Sequence, residues 1–155
     1  MIVVADTSAI SNLISIGRES VLESLFGGVT IPPAVENELL NWHRDIPDFV
    51  TVMKPVDLDA VLSLESELDP GEAEAIVLAS ELSADLLLID ERKGRIAADR
   101  LGLRSTGLLG VLLQAKAAGL LGSLKPILGE LTERAGFRVS PAVRSEFLKL
   151  AGELE

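Results

Sequence analysis

The sequence contains no cysteine, a single histidine and few aromatic residues, which make up 3% of its 155 positions. The lack of cysteine excludes disulfides and thiolate metal sites. The core must therefore be built from aliphatic side chains, which a hydrophobic content of 48% supplies amply. We expect some of this apolar surface to be buried in a homo-oligomer, most simply a homodimer. His43 has no visible partner motif, so we expect it at the surface, which disfavours histidine-based nucleases and Ser-His hydrolases.

The chain also lacks a long uninterrupted apolar run. The longest such run, Leu108 to Leu121, is broken by Gln114 and Lys116 and is shorter than the ~20 residues of a membrane helix. The N-terminal segment MIVVADTSAI has no basic region and contains Asp6, which is not typical of a signal peptide. We therefore expect a cytoplasmic protein without membrane contact, folded as one domain over residues 1–155.

An excess of positive charge is missing as well. The chain has 24 acidic and 14 basic side chains, for a net charge of −10. This balance weighs against a protein that binds nucleic acid over a broad face, unless a metal ion, a partner or a local basic patch supplies positive charge. Five of the 14 basic residues follow Asp90 closely in the chain: Arg92, Lys93, Arg95, Arg100 and Arg104. Such a run of basic residues is usually a solvated helix face.

Short apolar segments alternate with helical patterns through the first two thirds of the chain. The predicted strands are residues 2–5, 29–31, 50–52, 85–89 and 103–105. This alternation predicts a three-layer α/β/α fold around a central parallel sheet of four to five short strands. From Gly107 onward the pattern predicts three helices, separated by glycines and by Pro141.

Acidic residues follow the two clearest predicted strands. Asp6 comes after IVVA and Asp90 after LLLI. Ligands of open parallel sheets bind beyond the carboxyl ends of the strands, where two such carboxylates would repel each other unless a proton or a cation intervened. Hard oxygen ligands favour Mg²⁺ or Mn²⁺. The structural alternative is that each aspartate caps the helix that follows it, at Ser8 or at Arg92.

Three glutamates are further candidates, and each has a structural alternative. Glu72 occupies the third helical position after Asp69 and Pro70, which is typical of a capping box. Glu74 lies on the same predicted helix and is expected to be solvated, although it is close enough to replace Glu72 as a ligand. Glu38 lies beside the apolar stripe of its own helix, which is formed by Val35, Leu39 and Trp42.

Four segments, in order, resemble the sequence blocks of PIN domains. IVVADTSAI resembles the opening strand and acidic turn, and IPPAVENELL resembles the second block, with the glutamate at Glu38. GEAEAIVLASELSADLLLIDERKGR resembles the third and fourth blocks and contains Glu72 and Asp90, although many relatives have aspartate at the position of Glu72. LLLIDERKGR followed by TGLLGVLLQAKAAGLL is similar to a prokaryotic subgroup that includes toxins of toxin–antitoxin pairs. The resemblance covers a core of about residues 1–121, with a helical C-terminal extension over about 122–155.

The resemblance implies a metal-dependent endoribonuclease in which Asp6, Glu38, Glu72 and Asp90 form the catalytic site. Asp6 and Asp90 would be the principal ligands of Mg²⁺ or Mn²⁺, Glu72 a further ligand or base with Glu74 as its alternative, and Glu38 an orienting group. Thr7 or Ser8 would hydrogen-bond a ligand carboxylate or the phosphate, or simply start the helix. An RNA strand would contact the basic residues after the second aspartate: Arg92, Lys93 and Arg95.

The sequence is also compatible with other functions and partners. A small antitoxin is a possible partner, and a PIN-like scaffold with weak or no activity is the alternative function. A haloacid-dehalogenase-type phosphatase would need a second aspartate where Ser8 stands. A phosphate-receiver domain would need adjacent acids after the first strand, and no glycine-rich loop of a nucleotide-binding enzyme follows that strand.

Overall fold

The computed structural model describes residues 1–154, which form five strands and nine helices. Glu155, the last residue of the predicted single domain, lies outside the described residues. In chain order the elements are β1 (Val3–Ala5), α1 (Thr7–Ser15), α2 (Ser20–Phe26), β2 (Val29–Ile31), α3 (Pro33–Trp42), β3 (Val50–Val52), α4 (Leu58–Leu64), α5 (Pro70–Glu81), β4 (Leu86–Leu88), α6 (Arg92–Arg100), β5 (Ser105–Thr106), α7 (Leu108–Ala117), α8 (Lys125–Ala135) and α9 (Pro141–Leu150).

The strands form one parallel sheet in the order β3-β2-β1-β4-β5, with β1 in the centre. In the register of β1 and β4, Ala5 is paired with Leu88, and the backbone N–H of Asp6 donates to Leu88 O at 2.9 Å. Because both strands run in the same direction, the residues that follow them emerge at the same edge of the sheet. This register brings the Asp6 and Asp90 segments to one edge.

Apolar side chains cover both faces of the sheet, which gives the predicted three-layer α/β/α architecture. Along β1, Val3 and Ala5 pack into one hydrophobic cluster, whereas Val4 packs into another on the opposite face. The first cluster includes residues of α1, α2 and the C-terminal helices, and the second includes residues of α5 and α6. The fold class predicted from the alternation of strands and helices is confirmed.

The sequence pattern of residues 58–68 predicts one helix, but α4 ends at Leu64. A turn follows, and it buries Leu68 in the cluster beneath α5. Asp69 then caps α5, with a side-chain oxygen that accepts from the backbone N–H of Glu72 at 2.8 Å. This turn positions the first residues of α5 at the edge of the sheet where β1 and β4 end.

The C-terminal helices pack on the first cluster and are joined at their ends by Glu153. Its carboxylate accepts hydrogen bonds from Lys116 Nζ at 2.7 Å and from the backbone N–H of Leu124 at 2.7 Å, just before α8. These hydrogen bonds hold the pKa of Glu153 at about 2. α8 also packs against α1, which places the end of α8 near the residues that follow β1. None of the helices in residues 1–154 combines the length and apolar character needed to cross a membrane.

Candidate functional site

A cleft of about 470 Å³ opens at the edge of the sheet where β1 ends. Most of the side chains that line it are polar, and they come from one face of α1, the second half of α3, the loops before α5 and α6, and the end of α8. They are Asp6, Thr7, Ser8, Ser11, Asn12, Ser15, Glu38, Trp42, His43, Asp69, Glu91, Arg134 and Ala135.

Asp6 is the most buried acid of the cleft, with only 7% of its surface exposed. Burial raises the pKa of its carboxyl from 3.8 to about 7, against the lowering effect of the Thr7 backbone N–H. The nearby acids Asp69, Glu72 and Glu38 raise the pKa further by repulsion. The structure gives Asp6 no side-chain capping bond to α1, so the predicted alternative of a simple helix cap is not what this side chain does.

Glu72 has two carboxylate oxygens in different surroundings. Oε1 accepts from the backbone N–H of Asp69 at 3.2 Å, which completes the predicted capping box. Oε2 is buried and has no hydrogen-bond partner among the described residues. Burial raises the pKa of Glu72 to about 7, and the charges of Asp69 and Glu91 contribute to the increase. The structural role of Glu72 thus uses one oxygen and leaves the other free to bind a ligand.

Gly71 provides the space in which Glu38 and Asp6 approach each other. A methyl group at this buried glycine would collide with Glu38 Oε1 and would lie 3.2 Å from Asp6 Oδ1. The other oxygen of Glu38 accepts a hydrogen bond from Thr7 Oγ1 at 2.7 Å. Burial raises the pKa of Glu38, the Thr7 bond opposes this effect and Asp69 adds to it. Asp6, Glu38 and Glu72 therefore form one acidic group around the start of α5.

Asp90 lies at the same edge of the sheet but makes different contacts. Its Oδ1 accepts from the backbone N–H of Leu108 at 2.9 Å and lies 3.6 Å from Arg95 Nη2. It therefore caps α7 rather than the helix at Arg92, where Glu91 is the capping residue and makes no side-chain bond. The second oxygen, Oδ2, is buried without a partner in the described part of the chain.

Glu74, the alternative to Glu72, points elsewhere. Its carboxylate accepts from the backbone N–H of Ala34 at 3.1 Å, at the start of α3, and it does not line the cleft. Among the basic candidates, Arg95 donates through Nε to Ile89 O at 3.0 Å. Lys93 lines a separate depression beside Arg100, and Arg92 is exposed at the start of α6. None of these three basic residues lines the cleft.

Several cleft residues were not identified from the sequence. The sequence pattern indicates only a helix cap at Asp69, yet its charge also raises the pKa values of Asp6, Glu38 and Glu72. His43, for which the sequence shows no partner motif, follows α3 and lines the cleft half-buried, with its ring hydrogen-bonded to Ser11 Oγ at 2.8 Å.

Trp42 was expected on the apolar stripe of α3, but 80% of its surface is exposed, whereas Val35 and Leu39 are buried. The spacing of the stripe continues through Trp42, but this last turn of α3 lies beyond the apolar core. Arg134, on α8, also lines the cleft, and no local sequence pattern identifies it.

The acidic group fits a hard divalent cation in the kind of donor it offers. The acidic group and the nearby Asp90 offer only carboxylate oxygens, and Glu72 Oε2 and Asp90 Oδ2 are buried without partners among the described residues, although such oxygens normally have them. Within residues 1–154, no three histidine, aspartate or glutamate side chains are already arranged to hold a single ion. Side-chain rotation would have to complete the coordination.

Comparisons with known proteins agree with this architecture. A family model described as a PIN domain matches residues 2–153. A PilT N-terminus domain protein from the hyperthermophilic archaeon Sulfolobus solfataricus P2 has a similar solved structure, with a TM-score of 0.50 and 21% sequence identity. The match covers 79% of this chain and 97% of that chain, and at this identity it concerns the fold alone. No curated protein matches the chain.

Proposed function

The chain belongs to the PIN-domain family, and from this membership together with its acidic cleft we propose that it is a metal-dependent endoribonuclease. The observation that carries the proposal is the proximity of two buried carboxyls with pKa values of about 7: Asp6 lines the cleft, and the charge of Glu72, just behind it at the start of α5, raises the pKa of Asp6. Such values arise when like charges are held together away from water, and a bound cation would relieve that repulsion. Perturbed acids in a cleft are typical of functional sites.

In this proposal the carboxylates of Asp6, Glu72 and Asp90 hold Mg²⁺ or Mn²⁺. When bound, the ion lowers the pKa of a water molecule and neutralises charge that develops on the phosphate. Glu72 keeps its Oε1 on the backbone N–H of Asp69, so its unpartnered Oε2 would be the oxygen available to hold the ion. Glu38 is fixed by the Thr7 hydroxyl and orients the neighbouring Asp6 rather than reacting itself.

The polar lining of the cleft suits a phosphate backbone. Hydroxyl and amide side chains of Ser8, Ser11, Asn12 and Ser15 follow each other along α1, and Arg134 lies at the end of α8. Phosphate and sugar contacts are commonly made by such groups. Arg134 is the one arginine in the lining of the cleft. It provides local positive charge in a chain whose net charge is −10. We retain Arg92, Lys93 and Arg95 only as outer contacts of a longer strand.

We propose that the protein acts in the cytoplasm as a homodimer and as the toxin of a toxin–antitoxin pair. A small antitoxin would then inhibit it by covering the cleft. This role is supported by two segments, which begin at Leu86 and at Thr106 and are similar to the prokaryotic subgroup that includes toxins.

A PIN-like scaffold without activity is the second candidate. The contacts of Asp90 favour it, because Leu108 and Arg95 already approach one carboxylate oxygen. The absence of a ready-made metal cluster within residues 1–154 points in the same direction. In this case the protein would bind RNA or a partner without cleaving it.

The test is cleavage of a panel of single-stranded and structured RNAs with Mg²⁺, with Mn²⁺ and with EDTA. We expect cleavage with either metal, none with EDTA, and a loss of at least 100-fold in the Asp6→Asn and Glu72→Gln variants. Glu74→Gln is the matched control and should retain activity, since Glu74 caps α3 outside the cleft. Metal-dependent activity that survives Asp6→Asn would contradict the assignment, and an intact RNA panel would favour the scaffold.

A further inference from the structure

Trp42 is a large aromatic residue that the fold leaves uncovered beside the acidic group. It is 80% exposed and belongs to none of the three apolar clusters formed by the described residues. Its side chain instead lines the cleft together with Asp6 and Glu38. Most residues around it are polar, so it is an isolated aromatic side chain at a polar site rather than part of an apolar patch.

The position of Trp42 is fixed by the end of α3. Glu38 and Trp42 are four residues apart on one helix face, which corresponds to about 6 Å along the axis. The next residue, His43, donates its backbone N–H to Leu39 O at 2.8 Å, and its ring is hydrogen-bonded to Ser11 on α1. The last turn of α3 is therefore attached to α1, and Trp42 is held about one helical turn from Glu38.

We propose that Trp42 is the stacking platform for an unpaired base of the nucleic acid that enters the cleft. This inference rests on the proposed nuclease function and names the part of the substrate that the site recognises. Every base has a flat face that stacks on an aromatic ring, so the contact is tolerant of sequence. A base in a duplex is already stacked and paired, so this platform selects single-stranded RNA.

The surroundings of Trp42 fit the rest of a nucleotide. Arg134 lines the same cleft and provides a cation for the phosphate. The cleft volume of about 470 Å³ lies within the range of ~300–1,000 Å³ that is usual for ligand sites. A base on Trp42 would therefore leave its phosphate directed towards the acidic group one helical turn away.

The chain contains one tryptophan, so its fluorescence reports on position 42 alone. We would titrate the Asp6→Asn variant, which does not consume the probe, with a ten-nucleotide single-stranded RNA and with the same sequence as a duplex. We expect the single strand to quench tryptophan emission and the duplex to leave it nearly unchanged. Both titrations are run in EDTA at low ionic strength, because binding to phosphates weakens steeply with salt.

Matched variants in the same background are compared by the anisotropy of the labelled single strand. Base stacking contributes about 1–3 kcal/mol, so Trp42→Ala should weaken binding by about 5- to 150-fold. Trp42→Phe should retain most of the affinity, because it keeps an aromatic face. Leu40→Ala is the control, since Leu40 is 48% exposed on the same helix but does not line the cleft.

Failure of this inference is distinguishable from failure of the nuclease proposal. Unchanged affinity in Trp42→Ala, or quenching by the duplex alone, would overturn the stacking role even if the wild type cleaves RNA. An emission shift that depends only on protein concentration would also overturn it and would assign Trp42 to contact between copies. If RNA stacks on Trp42 but the wild type does not cleave it, the stacking role would be supported and the nuclease proposal would be contradicted.

Discussion

The hydroxyl of Thr7 donates a 2.7 Å hydrogen bond to Glu38 Oε2 and so joins the first residue of α1 to α3. Thr7→Val keeps the shape of the side chain but removes the donor, leaving a partly buried carboxylate oxygen without its partner. We expect a loss of about 1–2 kcal/mol in the free energy of unfolding, and a lower rate of cleavage because Glu38 is no longer held beside Asp6. Thr7→Ser should retain both properties. Urea denaturation and initial rates measure them, and equal behaviour of the two variants would contradict the role of the hydroxyl.

The stability of the metal-free protein should decrease as the pH rises from about 4 to about 7. The pKa of Asp6 is raised from 3.8 to about 7, so between these values the folded protein binds more protons than the unfolded chain. The contribution of Asp6 is therefore fully present below its unfolded pKa and is lost as the pH passes the folded value. This loss is at most about 4 kcal/mol for Asp6, and Glu72 changes in the same direction.

Asp6→Asn is the control for this pH dependence, because it keeps the shape of the side chain and removes its titration. In EDTA, the variant should be less sensitive to pH than the wild type, and more stable than it near pH 8. The measurement is the urea midpoint at pH 5 and pH 8 for both proteins. If the urea midpoints of the two proteins change equally between pH 5 and pH 8, the carboxyl of Asp6 is not a buried group with a raised pKa.

Gly71 and Gly129 should respond in opposite ways to the same substitution. A methyl group at Gly71 would collide with Glu38 Oε1 and crowd Asp6, whereas one at Gly129, within α8, would meet no atom within 4 Å. We expect Gly71→Ala to abolish most cleavage by displacing Glu38. Gly129→Ala should stabilise the protein by about 0.5–1 kcal/mol, since alanine is the better helix former. Cleavage and thermal denaturation of both variants test this, and an active Gly71→Ala would mean that the two acids need not approach each other.

Arg134 and Lys93 are both basic, but only Arg134 lines the cleft. Arg134→Gln should weaken the binding of single-stranded RNA and reduce the slope of log K against log salt concentration by about 0.7, the value for one phosphate contact. Lys93→Gln should change the slope less. Anisotropy titrations at several salt concentrations provide both slopes. A larger effect at Lys93 would place the strand along α6, as the basic run in the sequence suggests.

The sequence predicted the sheet and the edge at which its acids emerge, because β-branched and leucine runs that end in aspartate carry a local signal. The strands before Asp6 and Asp90 and the capping box of Asp69 and Glu72 all depend on residues close together in the chain. The fold class followed from these local patterns. The match of a PIN-domain model to residues 2–153 agrees with the family resemblance of the same segments.

Contacts between distant segments were not predictable in this way. The bond from Leu108 to Asp90 spans 18 residues, and that between Ser11 and His43 spans 32 residues. The helical periodicity of α3 extends through Trp42, but periodicity cannot show where the core beneath a helix ends. Arg134 reaches the cleft only because α8 packs against α1, a contact that no local pattern encodes.

The most direct test of the acidic cleft is a titration with Mn²⁺ followed by thermal denaturation. A ligand that binds only the folded protein at 100 times its Kd stabilises it by about 2.7 kcal/mol, or several degrees for a chain of this size. We expect this shift in the wild type and in Glu74→Gln, and its loss in Asp6→Asn and Glu72→Gln. Equal stabilisation of all four proteins by Mn²⁺ would contradict a metal site built on Asp6 and Glu72.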